Sequence, residues 1–292
     1  MATLSLLRPD SAEWPEPLTR IQTPPKQLHT FGDATVLARP CVAIVGTRHP
    51  TPYGEHVTRA LASALANAGA CIVSGMAIGI DAAAHRAALE AGGTTTAVLG
   101  AGIDQIYPSS NRRLYHAIAD QGVVVSEYEP GYPSFKGCFP RRNRIIAALS
   151  CLTIVVEAGS RSGALITASY ALSFARDVAA VPGRIDSEAS AGANRLLRDG
   201  AHVVTSIDDA LALAKFTTRI DTTATTPDSA QPSLALGSDE AAVWHLLAPG
   251  GVSTDDLVHR TAWPVARCLV AVTNLELQGL VACTPSGAVH RR

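Results

Sequence analysis

From residue 41 onward, the chain repeats a short apolar run followed by a longer alanine-rich segment. The apolar runs lack alternation of polar and apolar residues, which is typical of strands buried on both faces of a parallel sheet. The predicted strands are 41–45, 70–74, 95–99, 123–126, 153–156, 178–181 and 202–204. The predicted helices are 54–68, 82–91, 112–119, 142–149, 163–175, 193–198 and 207–214. This rhythm predicts an α/β fold with an open, doubly wound sheet, which binds its ligands at the carboxyl ends of the strands.

The rest of the chain divides around that core, which we assign to residues 41–215. Residues 1–40 carry six prolines and no sustained periodicity, so we expect an irregular lead-in that wraps the core. Residues 216–238 are rich in Thr, Ser, Pro and Ala and are typical of a linker. Residues 239–292 predict three helices and then a hairpin, the order of a small C-terminal winged-helix domain, with Ser253 opening the second helix in a capping box.

Charge and cysteine content limit the classes of function. The chain has 24 Lys+Arg against 25 Asp+Glu and a formal net charge of -1, so any anion site is local. It has no apolar stretch of about 18 residues and no signal-peptide pattern, and we expect a cytoplasmic protein with no membrane partner. Its six cysteines never form C-x-x-C, which predicts reduced core thiols and no metal site.

Four glycine-rich loops follow predicted strands, at 46–48, 74–81, 100–104 and 157–163. Glycine lets backbone N–H groups approach a ligand closely, and a following helix N-terminus favours phosphate; the alternative is a set of tight strand-to-helix turns. No G-x-x-x-x-G-K-[ST] and no G-x-G-x-x-G is present, so neither ATP hydrolysis nor NAD binding is supported and no cofactor is expected. Arg161 occupies the position where a G-x-S-x-G motif needs serine.

The most basic segment is Phe139-Pro-Arg-Arg-Asn-Arg144, at the start of an apolar helix. Arg142 lies on the same face as Ile145 and Leu149, so we expect it to point into the crevice. The alternative is a buried ion pair of Arg142 with Glu127 or Glu157, both at strand ends.

The other cations of this segment lie off the apolar face. Arg141 and Arg144, with Lys136 in the preceding loop, are expected to reach outward and contact phosphate. Phe139 is either a core anchor or, if exposed, a plate on which a base of single-stranded nucleic acid stacks. Arg48 follows the first core strand and is either solvated or, as its position beside Gly46 favours, part of the same anion site.

A set of motifs in a fixed order covers about residues 40 to 205. They are Gly46-Thr-Arg48, Ser74-Gly-Met-Ala-Ile-Gly-Ile-Asp81, Ile106-Tyr-Pro108 with Asn111, Phe139-Pro-Arg-Arg-Asn-Arg-Ile-Ile146, Glu157-Ala158 with Gly163 and Thr167, and Val181-Pro-Gly183 with Gly192-Ala-Asn194. Together they resemble the DprA (Smf) family of DNA-processing proteins.

The resemblance implies an extended Rossmann-like core that binds single-stranded DNA, protects it from nucleases and loads RecA onto it, chiefly during natural transformation. It further implies a homodimer and no enzymatic activity. Carried over residue by residue, it places Gly46, Thr47 and Arg48 on phosphate, Lys136, Phe139, Arg142, Asn143 and Arg144 around the nucleotide, and Gly163 with Thr167 at the floor of the pocket.

The chain departs from the family pattern in two places. Ile78 stands where members often carry a basic residue, and the first 40 residues are too short for the N-terminal helical domain of many members. The predicted third helix of the winged helix carries Arg267 as its lone cation, so we expect a protein-contact or regulatory module.

Two other functions stay open. One is a nucleotide phosphoribohydrolase of the lysine-decarboxylase-like Rossmann group, although that group's P-G-G-x-G-T-x-x-E motif is replaced here by residues 157–163. The other is a nucleotide-sensing regulator whose winged helix binds duplex DNA.

Overall fold

The computed structural model describes residues 2–216, 238–247, 252–261, 263–278, 280–283 and 288–291. The chain divides into two compact units, Met1–Ile220 and Asp221–Arg292.

Within residues 2–216, nine strands form one sheet in the order β1-β2-β6-β5-β4-β3-β7-β8-β9. The strands are β1 Leu4–Leu7, β2 Leu28–Gly32, β3 Cys41–Val45, β4 Cys71–Ser74, β5 Thr94–Val98, β6 Val123–Ser126, β7 Leu152–Val155, β8 Asp177–Ala180 and β9 His202–Val203. All neighbours from β6 to β9 are parallel, whereas β2 pairs antiparallel with both β1 and β6. The chain moves from β3 to β6 in one direction and then returns to place β7 on the other side of β3, which is the switch point of the sheet.

Helices cover both faces of this sheet, which explains the unbroken apolar strands. They are α1 Pro52–Asn67, α2 Ile80–Glu90, α3 Arg112–Gln121, α4 Cys138–Leu149, α5 Ala164–Ser173, α6 Glu188–Arg198 and α7 Ile207–Leu213. In β3, Ala43 and Val45 pack with α4, α5 and α6, while Val42 and Ile44 pack with α1, α2 and α7. The predicted doubly wound, mostly parallel α/β fold is therefore confirmed, with element bounds shifted by a few residues and α4 beginning four residues before its predicted start.

The N-terminal residues differ from the irregular lead-in that we expected. Besides β1 and β2, they contain two 3₁₀ helices, Glu16–Arg20 and Ala34–Ala38, and they bury Leu18 and Leu28 in the core beside α4. Prolines interrupt the sequence pattern here, and each piece is too short to be periodic. Pairing of β2 with the edge of β6 supplies the stability that such short strands lack alone.

The second unit has its own core. Its elements are α8 Ser238–Leu246, β10 Val252–Ser253, α9 Thr254–Thr261, α10 Val265–Leu277, β11 Val281–Cys283 and β12 Ala288–Arg291, and its strands pair in the order β10-β12-β11. Val243, Leu257 and Leu275 pack together from the three helices. As expected from the capping box, the Asp256 N–H donates to Ser253 Oγ at 3.0 Å. The predicted winged-helix architecture is confirmed.

We predict that the N-terminal segment stabilises the first unit. Leu18→Ala removes a side chain that is 0% exposed and should lower the free energy of unfolding by about 2–5 kcal/mol. Leu4→Ala is the matched control, because Leu4 is 59% exposed and its truncation should cost less than about 0.5 kcal/mol. Denaturant unfolding of both variants measures the difference; equal effects would show that the segment does not contribute to the core.

Candidate binding cleft at the switch point of the sheet

A cleft of about 1050 Å³ opens at the carboxyl ends of the parallel strands. Its walls are the loop after β3, the loop after β7, and the first turns of α4 and α5. Because β3 and β7 lie on either side of the switch point, the loops that follow them diverge and leave a crevice between them.

The loop after β3 is held between the loop after β7 and the start of α2. The Thr47 N–H donates to the Glu157 carbonyl at 2.7 Å, and the Thr47 carbonyl accepts from the Ile80 N–H at 3.1 Å. A Cβ on Gly46 would lie 2.6 Å from Ile80 Cγ1 and 2.8 Å from the Glu157 carbonyl oxygen, so only glycine fits there. This packing sets the direction in which the next residue, Arg48, leaves the loop.

Asp81 and Arg142, which line the cleft, both hydrogen-bond to the backbone of Gly75, the residue that follows β4. Its N–H donates to Asp81 Oδ2 at 3.1 Å, and its carbonyl accepts from Arg142 Nη1 at 2.8 Å. Arg142 Nη1 also donates to the Val98 carbonyl, and Arg142 Nε donates to Asn143 Oδ1 at 3.2 Å. Arg142 thus points inward, as predicted.

Burial and charge shift the pKa values of Asp81 and Arg142 in opposite directions. Burial raises the pKa of the Asp81 carboxyl, and the charge of Arg142 opposes that rise. Burial lowers the pKa of Arg142 to about 10, partly offset by Asp81, so the guanidinium remains charged at neutral pH. The predicted alternative partners of Arg142 are used elsewhere: Glu127 pairs with Arg144, and Glu157 accepts from the Thr51 N–H at 2.9 Å.

Arg144 does not reach outward, and that expectation is wrong. Its side chain is 4% exposed, and its two terminal nitrogens donate to the two carboxylate oxygens of Glu127 at 2.7 and 2.6 Å. Arg144 Nε donates to the carbonyl of Thr23 at 2.9 Å. Because the N-terminal segment covers this side of α4, Arg144 positions the helix and lies outside the residues that line the cleft. Arg141 is 66% exposed, as expected, but it too lies outside that lining.

The rim of the cleft carries the exposed cations and the aromatic rings. Arg48 is exposed, and its Cζ lies 5.9 Å from the centroid of the Phe139 ring. Phe139 is half-buried, and its ring packs against Gly100, where a Cβ would lie 3.0 Å from Phe139 Cδ1. Tyr107 is 50% exposed, with its ring centroid 5.5 Å from that of Phe139. Lys136 is exposed on the same rim.

The far wall is the start of α5. The Asn143 side chain is buried and its Nδ2 donates to the Gly163 carbonyl at 3.2 Å, which connects α4 to α5. Thr167 is buried at the floor, whereas Gly163 is exposed and a Cβ there would meet nothing within 4 Å. Glu188 also lines this wall, and its Oε1 accepts from Ser160 Oγ at 2.8 Å.

The structure brings most of the predicted site residues together in one place. Those that line the cleft are Gly46, Thr47, Arg48, Lys136, Phe139, Arg142, Asn143, Gly163 and Thr167. Sequence reasoning did not assign Tyr107 or Arg161 to the site, although both line it. Tyr107 belongs to the motif Ile106-Tyr-Pro108, which is the signal that could have identified it.

The cation of α10 is held within the second unit. Arg267 donates to both carboxylate oxygens of Asp239, at 2.8 and 2.7 Å, and its Cζ lies 4.3 Å from the centroid of a Trp263 ring. Exposed apolar side chains, Val265, Leu269 and Val270, occupy much of the same helix.

The described residues show neither a membrane-spanning helix nor a metal-binding cluster. None of the helices described has the length and apolar character needed to cross a membrane. Among these same residues, no group of three or more His, Cys, Asp or Glu side chains is arranged to hold a metal ion.

The fold and the cleft define a Rossmann-like protein with a cationic, aromatic-rimmed switch-point site, joined to a winged-helix unit. The chain belongs to the DNA recombination-mediator protein A family, whose model matches residues 5–215, and a DprA winged helix domain matches residues 227–287.

Individual members of the family are similar over most of the chain. Protein Smf of Escherichia coli K12 is 36% identical over 293 residues, which are 98% of this chain and 77% of that protein. The structure of DNA processing protein A from Streptococcus pneumoniae has a TM-score of 0.69 and 42% identity, covering 72% of this chain and 74% of that one. The structure of DNA processing protein A from Helicobacter pylori, described for its single-stranded DNA binding mode, has a TM-score of 0.67 and 36% identity, covering 73% of this chain and 96% of that one.

We predict that Gly75→Ala disrupts the floor of the cleft. The new Cβ would lie 2.5 Å from Arg142 Nη2 and 2.7 Å from Asp81 Oδ2. Both side chains are buried and hydrogen-bonded, so neither can move away cheaply, and unfolding free energy should fall by about 1–3 kcal/mol.

Gly163→Ala is the matched control for this prediction. Its φ of -61° suits alanine and its Cβ has open space, so its stability should change by less than about 1 kcal/mol. Thermal or denaturant unfolding compares the two variants, and a Gly75→Ala protein as stable as Gly163→Ala would contradict the close packing around this peptide.

Proposed function

We propose that this chain is a recombination mediator that binds single-stranded DNA in the cleft. The observation that carries the proposal is the position of the exposed Arg48 guanidinium over the half-buried ring of Phe139, with Lys136 on the same rim. Arg48 and Lys136 would contact phosphates while a base stacks on the aromatic surface, which is how proteins bind single strands without reading their sequence. The similarity to the Helicobacter pylori protein supports the same ligand.

The aromatic rim favours an unpaired strand over duplex DNA. Phe139 and Tyr107 can offer ring faces only to bases that are not already stacked inside a double helix. Exposed Arg48, Lys136 and Arg161 provide a small local charge in a chain of net charge -1. A duplex would have to bind by phosphate contacts alone, and this chain has few cations at the cleft to supply them.

The buried residues of the site would act mainly by position and charge. Arg142 contributes a fixed positive charge at the floor, since its donors already reach the carbonyls of Gly75 and Val98. Asn143 connects α4 to the open backbone at Gly163, where the strand would contact the start of α5. We therefore reassign Arg144 from phosphate contact to positioning residue, because Glu127 and the Thr23 carbonyl occupy its donors.

The contacts of the carboxylates favour binding over hydrolysis. Within the described lining of the cleft the carboxylates are Asp81 and Glu188. Asp81 accepts from the N–H groups of Gly75 and Ala77, and Glu188 accepts from Ser160. Neither is placed as an unoccupied general base, which disfavours the phosphoribohydrolase alternative.

The second unit gives little support to a regulator that reads duplex DNA. Arg267 is paired with Asp239 and packed on Trp263, so its charge is engaged inside the unit. Major-groove recognition needs free cationic or amide side chains on the inserted helix. We propose a protein-contact or regulatory role for this unit.

The wider role rests on membership of the family. We propose that the bound strand is protected and passed to the recombinase RecA during natural transformation, that the chain acts in the cytoplasm, and that it works as a homodimer. Mass measurement in solution, with and without an oligonucleotide, tests the dimer.

Arg48→Ala should weaken binding of a labelled single-stranded oligonucleotide by about tenfold, because it removes a charge-assisted phosphate contact. The log–log salt dependence should lose roughly 0.7 in slope, the value for one phosphate of a single strand. Fluorescence anisotropy at several salt concentrations, with single-stranded and duplex probes, measures both quantities.

Arg39→Ala provides the control for that experiment. Arg39 is exposed at the opposite end of β3, two residues before the strand begins, so its loss should leave binding unchanged. Equal affinity for duplex, or an unchanged affinity of Arg48→Ala for single strands, would overturn the assignment of the cleft.

Loading of RecA has its own measurement. On single-stranded DNA, the chain should shorten the lag before RecA begins to hydrolyse ATP, and Arg48→Ala should lose that effect in proportion to its lost DNA binding. A chain that binds the strand but leaves the lag unchanged would contradict the mediator role while leaving the binding site intact.

A further inference from the structure

We infer that Phe135 and Tyr132 form a second stacking platform, which extends the path of the single strand out of the cleft. This inference rests on the proposed function and adds a second group of base contacts to it. Sequence analysis did not assign either residue to the site, and neither is among the residues that line the cleft.

The platform is a short row of aromatic rings in the loop before α4. The rings of Tyr128 and Tyr132 stack with centroids 4.6 Å apart and planes 11° apart, and the Phe135 centroid lies 5.9 Å from that of Tyr132. Tyr132 is 36% exposed and Phe135 is 52% exposed. A half-exposed phenyl ring that packs on another ring is an apolar surface available to a flat ligand.

The loop that carries these rings is held by backbone hydrogen bonds. The Gly102 N–H donates to the Tyr132 carbonyl at 2.8 Å, and the Gly131 N–H donates to Asp104 Oδ1 at 2.7 Å. The Phe135 ring also lies over Gly137, where a Cβ would approach Phe135 Cε2 to 3.2 Å. Binding therefore does not have to order the platform first, and little conformational entropy is lost.

Position and charge identify the occupant as nucleobases of the same strand. Lys136 follows Phe135 directly and lines the cleft, and α4 then places Phe139 on the rim. The Cys138 N–H donates to the Phe135 carbonyl at 3.0 Å, so one turn of backbone joins Phe135 to the start of α4. Rings on either side of an exposed lysine match the alternation of bases and phosphates along a single strand.

The nearby carboxylates restrict the side on which the phosphates lie. Asp104 is occupied by the Gly131 N–H, and Glu129 accepts from Gln27 Nε2 and lies 3.2 Å from His29 Nε2. Glu129 thus contacts Gln27 and His29, and Asp104 contacts the loop at Gly131, so the phosphates would lie away from these carboxylates and near Lys136.

The test uses oligonucleotides in which the bases of one half are removed. Two labelled strands of about ten nucleotides, within the range that such folds bind, carry abasic sites in either the 5′ or the 3′ half. One of the two should bind the unaltered chain at least about fivefold more weakly than the intact strand, because its phosphates remain while stacking on the platform is lost.

Variants of Phe135 then locate the effect. Phe135→Leu keeps an apolar side chain but has no flat face. This variant should bind the intact strand about fivefold more weakly than the unaltered chain does, and it should bind the intact strand and the weaker of the two abasic strands equally. Phe135→Trp keeps a flat face and should retain the distinction.

The outcomes separate this inference from the proposed function. If the unaltered chain binds no single strand, the proposed function fails and the platform fails with it. If binding is strong and depends on Arg48 but Phe135→Leu binds all strands as the unaltered chain does, the platform alone is overturned.

Discussion

The backbone of Gly75 is hydrogen-bonded on both sides of its Cα, by Asp81 at its N–H and by Arg142 at its carbonyl, and the site depends on these contacts. A buried guanidinium is costly unless acceptors and a nearby negative charge compensate for lost hydration. The carboxyl ends of parallel strands supply carbonyl acceptors at one edge, here from Gly75 and Val98. The same contact fixes the start of α4, and through it the rim residues Lys136 and Phe139.

The cations around the cleft therefore divide by burial into two groups with different roles. Arg142 and Arg144 are buried, and their donors are used by carbonyls and carboxylates, so they set the geometry of α4. Arg48, Lys136 and Arg161 are exposed, line the cleft and keep their charge for a ligand. Because a chain of net charge -1 attracts DNA only weakly as a whole, the proposed affinity for a single strand would come from these exposed cations together with stacking on the rings beside them.

The N-terminal segment belongs to the site as well as to the fold. Its strands complete one edge of the sheet, and the Thr23 carbonyl accepts from Arg144, which in turn pairs with Glu127 after β6. This chain of contacts runs from the edge of the sheet to the helix that borders the cleft. The edge strands are thus coupled to the position of the rim, although they lie outside the residues that line it.

From residue 41 to residue 215, the sequence by itself determined which segments become strands and which become helices, because apolar runs and alanine-rich segments have periods that depend only on local geometry. It also determined the motifs, and through Gly46, Arg48 and Phe139 most of the cleft. Only the tertiary structure decided which arginines of α4 are exposed to solvent. Arg144 looks solvent-facing on an isolated helix, but the N-terminal segment covers it. Burial of a side chain depends on elements distant in sequence, which helical periodicity cannot describe.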